Sequence, residues 1–486
     1  MRMTLLCGAA SLLFSHVAEA GTYHVAPTGN DAAAGTAAAP WRTIQRAASA
    51  VAPGDTVLIA PGTYAGFRVT AQGTEAAPIA FVGQGDVRIL GSMTSNRDAV
   101  LLEGAAWVRV EGLSVSGATR AGIAALDCHH ITVRGNKVDS NGRWGVFSAF
   151  CDDLVVEDND VSRSSSEHGV YASNSADRPV IRRNRIWGNG ACGVHMNGDI
   201  NFGGDGVISG AIVEDNIITD NGTRGGSAIN GDGITGALIR NNVLDNNHAS
   251  GISLYRIDGG APSTGNRVIN NTIRMAGDSR AAINIQDGSR GNILRNNIVI
   301  SRAAGRGAIE ICGSCISGTI SDRNAFVGRF EIDGTSYDLA AFRSRTGTDA
   351  TSFLSTEAEL FTNPAAGDLT LRAGSPAIDR GLAEDAPSRA IDGTLRPQGA
   401  GIDLGAYERC EGPCVGAEPP GGEEPGDEPG DEPGDGPGDA PENPGAPDGG
   451  DASDPADAGG CSTSRAPGGL AALGLLLCVA RRRRRA

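Results

Sequence analysis

The chain has 486 residues and a formal net charge of −16, but that charge is unevenly placed. Residues 411–460 hold fifteen acids and no base, and the last segment holds six arginines, so residues 21–410 carry only −7. A mildly acidic body gives no electrostatic footprint for a nucleic-acid partner.

The first twenty residues carry Arg2, an apolar stretch from Thr4 to Phe14, and Ala18-Glu19-Ala20, a small-residue cleavage signature. They read as a secretory signal peptide, processed after Ala20. Residues 21–100 form the entry to the fold, 101–330 a repeat region and 331–410 a closing segment.

The repeat decides the fold. An Asn followed two residues later by an aliphatic or aromatic side chain recurs at Asn136, Asn159, Asn184, Asn216, Asn242, Asn271, Asn297 and Asn324, at intervals of 23 to 32 residues. A second element, a small residue then an aliphatic one, recurs from Gly122-Ile123 and Gly145-Val146 through to Ala308-Ile309. Short alternating runs lie between them, with no helical pattern. This period and composition predict an all-β solenoid, a parallel β-helix in which each coil pairs with its neighbours. The recurrent asparagines stack at one turn and bond backbone groups left unpaired by the bend, a structural role.

Alternation along each strand fixes the facing of side chains. With Ile123, Val146, Val170, Val194, Ile229, Ile252, Ile283 and Ile309 inward, one outward column reads Ala124, Phe147, Tyr171, His195, Asn230, Ser253, Asn284 and Glu310. A second reads Leu126, Ala149, Ser173, Asn197, Asp232, Tyr255, Gln286 and Cys312. The central coils therefore present a polar face of Tyr171, Ser173, His195, Asn197, Asn230, Asp232 and Tyr255, and the outer coils blander residues. Matching Asn197-Gly198-Asp199 to Asn230-Gly231-Asp232 would shift this register by two. The Gly193 coil takes 23 residues to its next Asn and the Gly251 coil 20, against 14 to 16 elsewhere. The extra loops, Ile200–Gly210 and Arg256–Gly265, would overhang the polar face and make a groove, where insertions are tolerated and function concentrates.

Of ten cysteines, seven lie between the two ends. Cys128 and Cys151 would stack on adjacent coils and suit a disulfide. Cys312-Gly-Ser-Cys315 suits a small loop bridge rather than zinc, and Cys410–Cys414 is the third pairing. Cys192 is left over.

Residues 411–460, rich in Pro, Gly, Asp and Glu, cannot bury apolar surface and predict a disordered spacer. Residues 461–486 begin at Cys461 and contain a short apolar helix-forming run from Gly468 to Ala480, followed by Arg481 to Arg485. This run is shorter than the ~20 residues a stable span needs.

Residues 21–410 resemble the bacterial right-handed, single-stranded parallel β-helix repeat proteins of the pectate-lyase-like superfamily. The opening (Tyr23-His24-Val25-Ala26, Pro40-Trp41-Arg42-Thr43-Ile44-Gln45, Gly54-Asp55-Thr56-Val57, Pro61-Gly62-Thr63-Tyr64) carries the likeness, and it implies a capping helix around Ile44–Ala50. The end (Gly374-Ser375-Pro376-Ala377-Ile378-Asp379, Asp403-Leu404-Gly405-Ala406-Tyr407-Glu408) resembles the closing segment of proteins called choice-of-anchor Q. Gly460-Cys461, the apolar run and the arginines resemble the MYXO-CTERM sorting signal of myxobacteria. That resemblance implies processing near Cys461, surface or outer-envelope localisation and membrane attachment through this segment.

These motifs specify fold more than activity. A face of aromatic, imidazole, amide and carboxylate groups suits a polysaccharide, bound by a monomer. The leading expectation is a lyase or epimerase on uronate glycans, with His195 as base, Tyr171 as proton donor and Asn197 with Arg256 clamping the carboxylate. Ser173, Asn230 and Tyr255 would bind sugar, and Asp199, Asp205 and Asp232 would hold Ca²⁺. The chain's single lysine, Lys137, lies off this face, so lysine-base chemistry has no counterpart. Two alternatives stand beside it: a non-catalytic glycan-binding or adhesive protein, and a glycoside hydrolase using Asp199 and Asp232.

Overall fold

The computed structural model describes residues 20–416. The signal peptide, almost all of the acidic spacer and the segment containing Cys461 lie outside the described residues.

One coil shows the plan. Strand Ala121–Arg134 bends in its middle, so residues 121–126 join one parallel sheet and residues 129–134 join a second. Lys137–Asp139 then enters a third, twelve-stranded parallel sheet, and the chain returns to begin the next coil at Trp144. The bend needs left-handed backbone, supplied here by Asp127 (φ 50°) and His130 (φ 55°). His130 belongs to a column running through the coils as Trp107, His130, Asp153, Arg178 and then Gly210, Gly236, Gly265, Gly291 and Gly318, all at positive φ.

The inward column is as read from alternation. Ile123, Val146, Val170, Val194, Ile229, Ile252, Ile283 and Ile309 are successive register partners, and all are buried. The preceding residue is small because it faces the third sheet across the core. A Cβ on Gly145 would lie 2.4 Å from Val161, and one on Gly193 would lie 2.5 Å from Ile218.

The asparagine ladder is continuous. The Asn159 side-chain oxygen accepts the backbone N–H of Asn136 (2.9 Å) and its side-chain amide (3.1 Å), while that amide also donates to Val110 O (3.0 Å). The pattern repeats to Asn324, whose N–H ends on Ser352 Oγ (3.0 Å). A second ladder of Asn189, Asn221 and Asn247 lines the corner entering the first sheet, with Asn141 and Ser164 at the same position in earlier coils. It was not picked out from the sequence, because its members sit at Asn-Gly and Asn-Asn steps that also read as turns.

Both ends are closed. Helix Ile44–Ala48, capped by Thr43, buries Ile44, Ala47 and Ala48 against the first coils and is two residues shorter than expected. At the other end helix Leu339–Thr346 lays Phe342 on Phe330, with ring centroids 4.8 Å apart. The closing segment folds back over the outside of the third sheet, where Leu360, Phe361, Leu404 and Ala406 bury Val243, Ile298 and Ile300. Disulfides join Cys128 to Cys151, Cys312 to Cys315 and Cys410 to Cys414, and Cys192 is unbridged.

Candidate functional site

The two outward columns have the register read from alternation. Phe147, Tyr171, His195, Asn230, Ser253, Asn284 and Glu310 are successive partners, as are Ser173, Asn197, Asp232 and Tyr255. Asn197 therefore pairs with Asp232 and not with Asn230, which removes the shifted alternative.

The expectation of an open groove is corrected. Tyr171, Ser173, His195, Asn197, Asn230, Asp232, Ser253 and Tyr255 are all buried, His195 to 2% exposure. The cause lies three residues earlier in each coil, where the chain enters the sheet with its side chain on the same outer side. Trp144 stacks on Phe147 (4.2 Å), His168 meets Tyr171 edge-on (5.0 Å), and Ser227 Oγ donates to Asn230 (3.0 Å). Tyr171 in turn stacks on His195, with centroids 4.8 Å apart and planes 14° apart. The face is a closed outer layer of aromatic and amide groups.

The expected site residues are engaged within that layer. Asn197 donates to Tyr171 Oη (3.4 Å), Asn230 donates to Tyr255 Oη (2.5 Å), and Ser173 Oγ donates to Ser148 O (2.8 Å). The Asp232 carboxylate accepts the backbone N–H groups of Ile257, Asp258 and Gly259 at 2.9 to 3.0 Å. Burial outweighs these bonds and pushes it up to about 6. Its work is to fasten the second overhanging loop. Asp199 caps the turn at Ile200–Phe202, and Asp205 is exposed and accepts from Val207 N–H (2.9 Å). Asp199, Asp205 and Asp232 do not gather into one ligand set, so the calcium expectation is corrected too: among the described residues the only such cluster is His168, Cys192 and His195. Arg256 is exposed, outside the closed layer.

The two overhanging loops are stitched to each other by main-chain bonds, Ile200 N–H to Asp258 O (3.0 Å) and Gly260 N–H to Gly206 O (2.7 Å). Close approach requires glycine there. A Cβ on Gly260 would lie 2.2 Å from Asp205 O, and one on Gly206 would lie 2.6 Å from Gly260 N. The loops form a fixed rim.

The histidine cluster has a defined protonation pattern. Cys192 N–H donates to His168 Nδ1 (3.1 Å), so the His168 proton sits on Nε2, which faces His195 Nδ1 at 3.0 Å. The His195 proton is then on Nε2, a buried atom without a partner. Burial drives His168 well below the ordinary imidazole range and His195 down to about 3, so both rings are neutral. A metal on His168 Nε2 would force a proton onto Nδ1, against the Cys192 N–H, so this trio does not fit a metal.

Further along the same columns, in coils read from sequence as bland, the outer layer is less completely closed. Asn284 and Gln286 are part-exposed and hydrogen-bonded to each other (3.0 Å). Next come Glu310 and Glu331, register partners on adjacent strands and each buried to 7% exposure. Arg306 donates to Glu310 at 3.0 Å and Arg329 to Glu331 at 2.6 Å, and these guanidinium side chains are 43% and 40% exposed. Burial, and then the charge of Glu331 among smaller causes, raises the Glu310 carboxyl above its usual range. Glu310 was already on the outward column; its partner one coil on was missed because the Asn repeat ends before it.

Two family models match the sequence: a Pel9A-like right-handed β-helix region over residues 23–177 and a right-handed β-helix region over residues 166–326. No curated protein matches. Among solved structures, pectate lyase Pel9A is similar at 18% identity and TM-score 0.55, covering 80% of this chain and 96% of its own. The GH136 lacto-N-biosidase from Eubacterium ramulus is similar at 13% identity and TM-score 0.46, covering 64% and 67%. The alginate lyase from Paenibacillus sp. str. FPU-7 is similar at 15% identity and TM-score 0.37, covering 68% and 99%. In fold, the chain is a right-handed parallel β-helix.

Proposed function

We propose that this is an exported, envelope-attached β-helix protein that acts on polysaccharide, with its chemistry at Glu310 and Glu331. The cross-strand pairing of two buried carboxylates, each bonded to a partly exposed arginine, carries the reading. Glu310, raised by burial, is the proton donor to the glycosidic oxygen; Glu331, paired with Arg329, is the second carboxylate. Strand spacing of about 4.8 Å sets their scale of separation, nearer the ~5–5.5 Å of retaining glycosidases than the wider gap of inverting ones. The exposed faces of Arg306 and Arg329 favour an acidic glycan. Likeness in fold to a pectate lyase supports the substrate class, and three disulfides support export.

One observation favours the lyase or epimerase reading: His195 Nε2 is buried without a partner. The tautomer makes it a neutral hydrogen-bond donor rather than a base, and substrate would reach it only if the closed layer opened. Incubation of the protein with acidic polysaccharides, following both reducing ends and unsaturated products, tests the two. Reducing ends alone support the carboxylate pair. Unsaturated product lost in His195→Ala supports the lyase. Glycan binding without turnover by either measure makes the protein an adhesin-like binder and overturns both.

A further inference from the structure

Trp107 and His130 occupy the left-handed corner column that later coils fill with glycine. Side chains with a Cβ strain this left-handed backbone, and such outliers cluster at functional positions. What the corner gains is a fixed imidazole. The Trp107 indole stacks on the His130 ring, with centroids 3.8 Å apart and planes 17° apart. On the far side, His130 Nε2 faces Asp153 Oδ2 at 3.6 Å. Asp153 is the residue of this column one coil on, and Arg178, the next, donates to it at 2.7 and 2.9 Å. Those bonds fix the Asp153 side chain behind His130.

That arrangement leaves Nδ1 as the outward nitrogen of His130. It faces Nδ1 of His129 at 3.0 Å, with the two rings at 87° to each other. His129 is exposed and His130 part-exposed, so solvent ions reach both. Two nitrogens each about 2.1 Å from a shared ion and at a right angle across it lie about 3.0 Å apart. Without an ion, one Nδ1–H donates to the other. With one, the donating ring carries its proton on Nε2 instead, and both Nδ1 lone pairs bind.

We propose that His129 Nδ1 and His130 Nδ1 form a chelating site for one divalent transition-metal ion, with water completing the shell. Imidazole pairs select zinc, nickel or copper over calcium and magnesium, which take oxygen ligands. Asp153 is the outer carboxylate that orients the liganding ring and raises its basicity, and Trp107 fixes its plane. The site is separate from the proposed glycan chemistry and independent of it.

Nickel chloride, titrated into the full-length protein without reductant, provides the test, with tryptophan emission and calorimetry read together. Trp107 lies against a ligand ring, so one nickel per chain quenches a saturable fraction of the emission. Trp107→Phe keeps the binding heat and loses that quenching. His129→Gln and His130→Gln each weaken binding at least tenfold while far-ultraviolet circular dichroism stays unchanged. Asp153→Asn weakens it about 10–100-fold, the range for outer-shell carboxylates. Calcium chloride gives neither signal. Nickel binding and quenching of equal strength in both histidine variants, or no saturable binding by the wild type, would overturn the site.

Discussion

Glu310 and Glu331 face out from neighbouring strands of the same sheet, each paired to its own arginine two or four residues away. Their surroundings differ. Gly307 N–H and Arg306 bond Glu310, yet its burial still dominates and favours the proton. A buried carboxyl that favours its proton, stacked on a second carboxylate, is what the proposed acid chemistry needs.

The buried imidazoles give the fold a pH dependence of known sign. In the folded chain His168 and His195 bind protons far more weakly than in the unfolded chain, where an imidazole titrates near 6.5. Between pH 6.5 and about 3 the unfolded chain therefore holds more protons. Stability is full above 6.5 and falls as the pH drops, by up to ~1.4 kcal/mol per pH unit for each histidine. Denaturation midpoints between pH 7 and 4.5 check this, and His195→Phe, which keeps the stack on Tyr171, flattens the slope.

Neighbouring asparagines in the later coils do different work, and two substitutions separate them. Asn271 belongs to the ladder, bonded to Asn297, Ile239 and Asn242. Asn270 instead donates to Asp403 O (2.9 Å) and Gly405 O (3.1 Å) of the closing segment. Asn271→Ala leaves buried ladder groups unpaired at about 1–3 kcal/mol each and lowers the global melting temperature. Asn270→Ala leaves the ladder intact, and its main effect is faster proteolysis within residues 380–408.

The closing segment carries its own lock. Arg396 and Glu408 pair at 3.1 Å with both side chains fully buried, and Arg396 also donates to Gly405 O. Glu408→Gln leaves the guanidinium with less compensation and destabilises by about 3–5 kcal/mol. Replacing both, Arg396→Met with Glu408→Leu, recovers much of that loss. Thermal unfolding of the two variants side by side decides it.

The coil register was legible because two independent signals agree on it: the small-aliphatic element and the Asn period. Gly145 and Gly193 are small for a steric reason that recurs every coil, and Asn136 to Asn324 repeat because each satisfies the coil before it. Burial of the outer face was not legible. Alternation says which side of a strand a residue takes, but not that Trp144 or His168, across a turn, leans onto the same side three residues earlier. Calcium failed on the same ground, since Asp232 is consumed by backbone N–H groups of a loop 25 residues away in sequence. The left-handed corner was invisible for another reason: Trp107 and His130 sit where pattern reasoning expects glycine.

The most direct measurement is release of reducing ends from an acidic polysaccharide by wild type, Glu310→Gln and Glu331→Gln at matched folded concentration. The account predicts that each variant loses at least ~100-fold in kcat, and that glycan binding and melting temperature stay near wild type. Wild-type turnover that survives both substitutions would contradict it and move the chemistry off this carboxylate pair.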